Sequence, residues 1–413
     1  MSETSGSTVD TMETSKRGGA LAGVRVLDLS QWQQGPYATT VLSDLGADVI
    51  KIEKPHYGDA GRHALGGLDP SITAPDFFAH NRGKRGITIE LSTAQGRELL
   101  LRLAEHSDVV VHNFRYGVMD RWELTYEAFA ERNPRLIFAH ASGSGPEGPR
   151  RDQPMFDIVA QGMGGVMSLN GEEGGSPAPV GTFMADQVGA TMLTIAILAA
   201  LVARERTGRG QRIDVSLLGS QVALQSFELT HYLFTGRLPR RAGRGHPHAG
   251  ILWNTFPAAD GSFTVAGVRE DRWSQFCDLV GAPELAGDER FDCPEAREAN
   301  RGPLLERLDA IFRREPIAHW TKTLATLDIA CGPVRTYDEV ASDPQVLANG
   351  YIAEMAHPSM GEIRYVGTPI ALSDTPVAAQ GPSPELGQHT EEVMLEAGYD
   401  WPEILELRDA GAI

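Results

Sequence analysis

The sequence is poor in the features that characterise secreted, membrane and nucleic-acid-binding proteins. Its 413 residues include three cysteines, Cys277, Cys293 and Cys331, too few and too widely spaced for a disulfide framework or a CxxC-type zinc site. Basic residues number 37 against 55 acidic ones, and the net charge of −18 opposes nonspecific attraction to nucleic acid or anionic lipid. We therefore expect free thiols, a cytoplasmic location and no nucleic-acid partner.

Long hydrophobic runs are also missing. The longest apolar stretch, 190–202, is shorter than the ~20 residues that span a bilayer, and an Arg-Glu-Arg run follows it at 204–206. It predicts a buried helix and no membrane association. Residues 1–20 are rich in Ser, Thr and Gly without an apolar signal segment, and we expect them to form a flexible tail.

Several common catalytic motifs are absent as well. No H-E-x-x-H, G-x-S-x-G or P-loop string occurs, and the pair His246 and His248 lacks a third metal ligand nearby. Residues 143–148 match GxGxxG, but Pro146 spoils the helix start that a dinucleotide site needs. These patterns predict a glycine-rich loop at a strand end and no metal site.

What the sequence does contain is an alternation of short apolar runs and helical patterns. This alternation is typical of βα units with a parallel sheet, so residues 21–215 read as an α/β domain. The predicted strands are 24–29, 48–52, 86–91, 108–112, 136–141 and 212–217. The predicted helices are 37–45, 93–105, 126–132, 157–167 and 185–206.

The composition shifts after this region. Glycine, arginine, proline and histidine crowd into 236–250, which predicts a linker, and a hairpin is expected over 250–268 around Asp260-Gly261. Small helices are predicted over 271–314, a hairpin over 361–369 and helical structure over 389–407. We expect a large domain from 21–225, a linker and small domain from 226–340, and a segment, 341–413, that returns to the large domain.

Two groups of residues suggest chemistry. Seven basic residues flank predicted strands, where they would suit phosphates, although on spacing alone a solvated surface is the favoured explanation: Lys51, Lys54, Arg82, Lys84, Arg85, Arg115 and Arg121. Four carboxylates stand among glycines, as candidate nucleophiles or as simple turn formers: Asp157, Glu172, Glu173 and Asp186.

Motifs spread over most of the chain resemble one enzyme family. They are Leu-Ala-Gly-Val-Arg-Val-Leu-Asp-Leu-Ser at 21–30, Gly-Pro at 35–36, the strings at 45–53 and 81–85, Asn-Phe at 113–114, Asp-Arg at 120–121, and the strings at 207–211, 331–334 and 386–391. In this order they resemble the family III CoA-transferases, or CaiB/BaiF family, which includes formyl-CoA and carnitine CoA-transferases and alpha-methylacyl-CoA racemase.

The resemblance implies an α/β fold with a Rossmann-like large domain built from both chain ends, a smaller α+β domain, and two subunits interlocked like rings. It also implies that coenzyme A binds to the large domain. The positions carried over for that contact are Gln33, Lys54, Ile89, Asn113, Phe114 and Arg121. The loop at 244–248 resembles the family's mobile loop, which shields the reacting groups from water.

The catalytic position departs from the family pattern. An ungapped register places Gly174 where the transferases have a nucleophilic aspartate, and the adjacent Glu173 is a candidate substitute. Asp186 matches the aspartate of the racemases, but Phe156 occupies their histidine position and cannot transfer a proton.

Three functions remain open on the sequence. The first is a CoA-transferase that moves CoA from an acyl-CoA donor to a carboxylic acid, with Glu173 as an atypical nucleophile and no metal. The second is a noncatalytic CoA-binding subunit in a heteromer with an active paralogue rather than a homodimer. The third is an acyl-CoA isomerase that uses Asp186.

Overall fold

The computed structural model describes residues 18–63 and 74–413, and its elements form two compact units. The first unit comprises the described residues up to 160, with 184–220 and 345–413; the second comprises 161–183 and 221–344. The predicted tail lies outside the described residues up to residue 17.

The strands of the described residues form three sheets. In chain order they are β1 (Arg25–Asp28), β2 (Asp48–Glu53), β3 (Arg85–Thr88), β4 (Val109–His112), β5 (Ile137–Ser142), β6 (Arg212–Ser216), β7 (Trp253–Pro257), β8 (Ser262–Ala266), β9 (Cys331–Pro333), β10 (Ile352–His357) and β11 (Gly361–Val366).

Eighteen α-helices are formed by the described residues. They are α1 (Gln34–Asp44), α2 (Pro75–Asn81), α3 (Ala94–Ala104), α4 (Val118–Arg121), α5 (Tyr126–Arg132), α6 (Asp157–Met163), α7 (Val166–Leu169), α8 (Met184–Thr207), α9 (Leu217–Leu224), α10 (Ser226–Thr235), α11 (Trp273–Leu279), α12 (Pro294–Ala299), α13 (Arg301–Phe312), α14 (Ile317–Ala325), α15 (Tyr337–Ser342), α16 (Pro344–Ala348), α17 (Thr390–Glu396) and α18 (Trp401–Asp409).

The first unit is built on a six-stranded parallel sheet in the order β3-β2-β1-β4-β5-β6. Its central strands are buried on both faces, which is why they read as continuous apolar runs in the sequence. The strand order reverses between β1 and β4, where ligands bind in open α/β sheets. The predicted parallel α/β architecture is confirmed.

Two hydrophobic clusters cover the faces of this sheet. One joins the sheet to α1 and α8 through residues such as Leu42, Leu193 and Ile197. The other joins it to α3, α5 and the last two helices, including Val393 and Met394. The C-terminal helices therefore complete the core of the first unit.

Helix α8 is long and apolar enough, by length and composition, to cross a membrane. However, Leu193, Ile197 and Leu201 are buried in the cluster shared with α1 and the sheet. One face of the helix is therefore packed in the core, whereas Ile195 and Val202 are more than half exposed.

The second unit has its own aromatic core and a three-stranded antiparallel sheet of β7, β8 and β9. Strands β7 and β8 pair from Trp253–Ala266 to Pro257–Ser262 and confirm the hairpin predicted around Asp260-Gly261. Phe312 packs edge-on against Phe263 and Trp320, with ring centroids about 5 Å apart.

Several predicted elements are wrong in their limits. The strand predicted over 86–91 runs from Arg85 to Thr88, and the helix predicted over 37–45 begins at Gln34. The helix predicted over 157–167 ends at Met163, because Gly165 adopts a φ of 97° and starts the separate short helix α7. The hairpin predicted over 361–369 supplies only its second strand, β11, whose partner β10 precedes it in the chain.

Candidate active site

The carboxyl ends of β1 and β4 meet at the point where the strand order reverses. Asn113, directly after β4, holds the segment after β1: its Oδ1 accepts from the Gln31 N–H at 2.9 Å, and its Nδ2 donates to the Gln31 carbonyl at 2.7 Å. These two bonds fix both loops together at the edge of the sheet where a cofactor binds in this type of fold.

Trp32 also belongs to the segment after β1, although no sequence motif pointed to it. Its φ of 68° is unusual for a bulky residue, and 46% of it is exposed. The Trp32 N–H donates to Asp59 Oδ1 at 3.1 Å, and Lys51 Nζ lies 2.7 Å from Asp59 Oδ2. A buried ion pair therefore holds this strained residue in place.

The six residues carried over as coenzyme A contacts all follow strands β1 to β4. Gln33 precedes α1, Lys54 follows β2, Ile89 follows β3, Asn113 and Phe114 follow β4, and Arg121 ends α4. Parallel strands place these positions at one edge of the sheet.

These positions differ in what they offer to a ligand. Arg121 is exposed and Lys54 is 65% exposed, 3.8 Å from the carboxylate of Glu90. The Ile89 side chain, 2% exposed, belongs to the core, so any ligand contact at this position falls to the main chain.

Most of the basic residues that flank the strands do not form a phosphate site. Four of the seven are mostly buried in ion pairs within the fold, so neither the phosphate cluster nor the solvated surface predicted for them is right. The pairs are Lys51 with Asp59, Lys84 with Asp28, Arg82 with Asp44, and Arg85 with Asp48 and Glu396. Burial lowers the pKa of Lys84 to about 8, although Asp28 acts in the opposite direction.

Asp186 lies in the first turn of α8. Asp157 caps this helix end: its Oδ1 accepts from the N–H groups of Ala185 at 2.6 Å and Asp186 at 3.2 Å. Burial, and secondarily the negative charge of Asp157, raise the pKa of Asp186 to about 7. The carboxyl group is thus poised to exchange a proton or to act as a nucleophile near neutral pH.

Helix α8 brings Asp186 close to the beginning of α1. Gly189, one turn further along α8, faces Gln34 so closely that an added Cβ would lie 2.8 Å from the Gln34 Nε2. That amide nitrogen donates to the Val215 carbonyl at 3.2 Å. The starts of α1 and α8 are therefore packed directly against each other.

Glu173 and Gly174 belong to the second unit and have a different environment. Gly174 has a φ of 74° and open space around the position of a Cβ. The exposed Glu173 accepts from Arg240 Nη1 at 2.7 Å, and Arg240 also pairs with Glu298. A carboxylate engaged by an arginine on the surface is a poorer nucleophile than a desolvated one.

Within residues 18–63 and 74–413, no group of three or more His, Cys, Asp or Glu side chains is arranged to hold a metal ion. His246 instead contacts Glu228 Oε1 at 2.9 Å.

Comparison with known proteins identifies the class. The profile of CoA-transferase family III matches residues 21–390. The chain therefore belongs to family III of the CoA-transferases, and the resemblance seen in its motifs is confirmed.

Named relatives extend over almost the whole chain. Succinyl-CoA:mesaconate CoA-transferase of Haloarcula hispanica is 36% identical over 403 residues, which cover 92% of this chain and 97% of that protein. Formyl-CoA:oxalate CoA-transferase of Streptomyces coelicolor is 36% identical over 421 residues, 95% of this chain and 99% of that protein. This chain is accordingly an enzyme of the CoA-transferase class.

Solved structures agree with the fold. A CaiB/BaiF family protein from Brucella suis superimposes with a TM-score of 0.82 and 35% identity, covering 92% of this chain and all of that one. Rv3272 from Mycobacterium tuberculosis superimposes with a TM-score of 0.79 and 29% identity, covering 92% of this chain and all of the other.

Proposed function

We propose that this enzyme transfers coenzyme A from an acyl-CoA to a carboxylic acid and that Asp186 is the attacking carboxylate. The observation that carries the assignment is the position of Asp186 in the first turn of a long helix, largely desolvated, on the unit that holds the proposed coenzyme A contacts. Because Asp186 supplies a carboxylate, the glycine at position 174 does not leave the enzyme without a nucleophile.

The reaction proceeds by exchange between thioester and anhydride. The ionised Asp186 oxygen attacks the donor thioester carbonyl, and CoA thiolate leaves from a mixed anhydride. The thiolate then attacks the aspartyl carbonyl, releasing the donor acid and leaving CoA bound to the enzyme as a thioester. The acceptor carboxylate attacks that thioester, and the expelled thiolate finally takes the acceptor acyl group and regenerates Asp186.

The helix N-terminus supports this chemistry. The helix dipole favours negative charge in the first turn of α8. Asp157 already binds the N–H groups of Ala185 and Asp186, so it fixes the backbone that carries the nucleophile. Burial strips water from the attacking oxygen and raises its basicity.

For coenzyme A we propose the contacts Gln33, Lys54, Ile89, Asn113, Phe114 and Arg121. Lys54 and Arg121 are exposed cations at the sheet edge and suit the phosphates of the cofactor. Phe114 presents a half-buried ring that packs edge-on against Trp122 at 5.3 Å, a surface suited to an apolar or aromatic part of the ligand.

The decisive experiment compares Asp186→Asn with Glu173→Gln. Each replaces a carboxylate by an amide of similar size, so folding is preserved while nucleophilicity is lost. We expect the Asp186 variant to lose at least about a thousandfold in kcat, and the Glu173 variant to stay within about threefold of the unmodified enzyme. Borohydride trapping followed by peptide mass spectrometry should locate the covalent intermediate at Asp186.

The opposite pattern, with Glu173→Gln inactive and trapped label on Glu173, would transfer the role to the residue beside Gly174. Succinyl-CoA with mesaconate, glutarate or oxalate is the first donor and acceptor panel, since curated relatives are named for these acids. Turnover by the isolated chain excludes a noncatalytic subunit that depends on an active paralogue.

A second function also draws on Asp186. A carboxyl group with a pKa near 7 is suited to remove a proton from the carbon next to a thioester, as an isomerase requires. Deuterium exchange at that carbon in heavy water, measured by mass spectrometry without an acceptor acid, distinguishes this activity. If no deuterium is exchanged and CoA transfer depends on the acceptor acid, the enzyme is a transferase and not an isomerase.

Three further features complete the proposal. The protein forms a homodimer whose subunits are interlocked. The enzyme works in the cytoplasm, where its free cysteines stay reduced. Exposed apolar side chains on α10, among them Leu233 and Phe234, support contact with a second copy.

A further inference from the structure

A buried polar cluster underlies the segment 113–116 that follows β4. His140 on β5 is 3% exposed, and its Nδ1 lies 3.0 Å from Asp214 Oδ2 on β6. Its other ring nitrogen, Nε2, lies 2.9 Å from the carbonyl oxygen of Phe114. The imidazole therefore bridges the interior of the sheet and the main chain of a proposed coenzyme A contact.

Asp214 is fully engaged by donors. Ser142 Oγ donates to its Oδ1 at 2.6 Å, and the Tyr116 hydroxyl donates to its Oδ2. Burial opposes ionisation of Asp214, but the hydrogen bonds from His140, Ser142 and Tyr116 outweigh it and hold its pKa below the usual range. Asp214 is thus an anion that accepts from all three neighbours.

The donor and acceptor pattern fixes the role of His140. A carbonyl oxygen accepts hydrogen bonds and cannot donate them, so Nε2 must carry the proton that faces Phe114. An ionised carboxylate likewise accepts, so Nδ1 carries the proton that faces Asp214. His112 stacks on the ring at 4.3 Å, and burial lowers the pKa of His112 so that it adds no competing charge.

We propose that His140, held by Asp214, is a positioning residue for coenzyme A: its Nε2–H fixes the Phe114 carbonyl and thereby presents Asn113 and Phe114 to the cofactor. The inference rests on the proposed function, because it assumes that this segment contacts coenzyme A. The network also anchors both ends of the segment, since Asn113 is tied to Gln31 and Tyr116 to Asp214.

A positioning role of this kind makes a specific kinetic prediction. The network touches the cofactor-binding segment rather than the reacting carbonyl, so its loss weakens binding of substrate and transition state equally. The dissociation constant for coenzyme A and the KM for acyl-CoA rise, while kcat at saturation stays nearly constant.

Two amide substitutions separate the bonds of His140. The amide of Asn reaches the position of Nδ1 and keeps the contact with Asp214, whereas the amide of Gln reaches the position of Nε2 and keeps the contact with Phe114. We expect His140→Asn to raise the dissociation constant of free coenzyme A about tenfold and His140→Gln to change it less than about threefold. Isothermal titration calorimetry measures both, with melting temperatures recorded in parallel.

Equal affinity in both variants and the unmodified enzyme would overturn the proposal, as would an equal loss in both. If the folded, unmodified enzyme binds no coenzyme A, the proposed function itself is wrong. This outcome differs from tight binding by both variants, which contradicts only the role of His140. Nitrogen NMR of histidine-labelled enzyme tests the hydrogen bond from Nε2 to the Phe114 carbonyl and does not need a stable Asn variant. The His140 signals are assigned as those that disappear in His140→Gln. A protonated Nε2 supports the proposal, and an unprotonated one overturns it.

Discussion

At the scale of single residues, the environment of Asp186 connects catalysis with pH. Its pKa is about 7, through burial first and the neighbouring Asp157 second, and the proposed attack needs the ionised form. We expect kcat/KM to rise with pH up to about 7 and then level off, measured between pH 5 and 9. Asp157→Asn keeps a capping oxygen but removes the like charge, so it should move the midpoint to lower pH.

Glu173→Gln is the matched control for this profile and should leave the midpoint unchanged. A midpoint below pH 5 that Asp157→Asn does not alter would show that another group limits the rate.

The same raised pKa makes a prediction about stability. In the unfolded chain Asp186 ionises near its ordinary pKa of 3.8, whereas in the folded enzyme it stays protonated up to about 7. The contribution of this group to stability is therefore present below pH 4 and is lost as pH rises towards 7. Asp186→Asn should raise the free energy of unfolding at pH 8 by on the order of 2 kcal/mol relative to the unmodified enzyme, and hardly change it at pH 4.

Urea unfolding at the two pH values measures this difference. An equal effect at both would mean that the substitution acts through packing or capping rather than through a buried charge. Because Asp186→Asn is also expected to lose activity, the native aspartate would support catalysis at a cost in the stability of the folded enzyme.

At the scale of elements, the contact between α1 and α8 sets the position of the proposed nucleophile. Gly189→Ala adds a methyl group 2.8 Å from the Gln34 Nε2, which must move away from its bond to Val215. The expected overpacking cost, about 1–3 kcal/mol, exceeds the gain of up to about 1 kcal/mol in helix propensity. We expect a net loss of stability and at least about a tenfold fall in kcat, since Asp186 shifts with its helix.

Gly162→Ala in α6 provides the control. This glycine is exposed in a helix, and an added Cβ would lie 3.5 Å from the Met167 Sδ, an ordinary van der Waals contact, so the propensity gain acts alone and should stabilise. If Gly189→Ala stabilises the enzyme as much as Gly162→Ala does, the α1–α8 contact is more adaptable than the distances indicate. Thermal melts and kcat measured together distinguish these results.

The elements also show what sequence alone can reach. Buried parallel strands read as apolar runs, so β2 and β4 were predicted to within one residue at each end. The start of α3 was also close to its prediction: a helix was expected from residue 93, and Thr93 caps α3 by accepting from the Gly96 N–H at 3.0 Å. The break at Gly165 was missed, because a left-handed φ depends on the turn and not on the residue type alone.

Ion pairs and hydrogen bonds between residues distant in the chain could not be predicted from the sequence. Lys51 and Lys84 look like free cations in the sequence, yet both are fully buried against aspartates. His140 and Asp214 are 74 positions apart, and no local motif connects them. Only the fold brings such groups together, so sequence patterns give the sheet and its edge but not the hydrogen-bond network behind it.

At the scale of the whole molecule, both chain ends contribute to the first unit. The His389 N–H donates to the Gly86 carbonyl at 2.8 Å, and the Glu90 N–H donates to the Ala412 carbonyl at 2.8 Å. The chain leaves this unit for residues 161–183, returns for α8 and β6, leaves again within α9 after residue 220, and rejoins the first unit at residue 345. The proposed interlocked dimer is implied by the family resemblance, and this departure and return of the chain is compatible with it.

An interlocked dimer makes a prediction that an ordinary dimer does not. We expect sedimentation equilibrium to give twice the chain mass of 44.7 kDa, with the exposed apolar residues of α10, Phe227, Leu233 and Phe234, buried between subunits. Folded dimers carrying two different affinity tags should not exchange subunits over days, because threaded rings separate only by unfolding. After joint denaturation in urea and refolding, about half of the dimers should carry both tags.

Exchange between folded dimers would show a conventional interface, and an active monomer at micromolar concentration would show that one copy completes the active site alone.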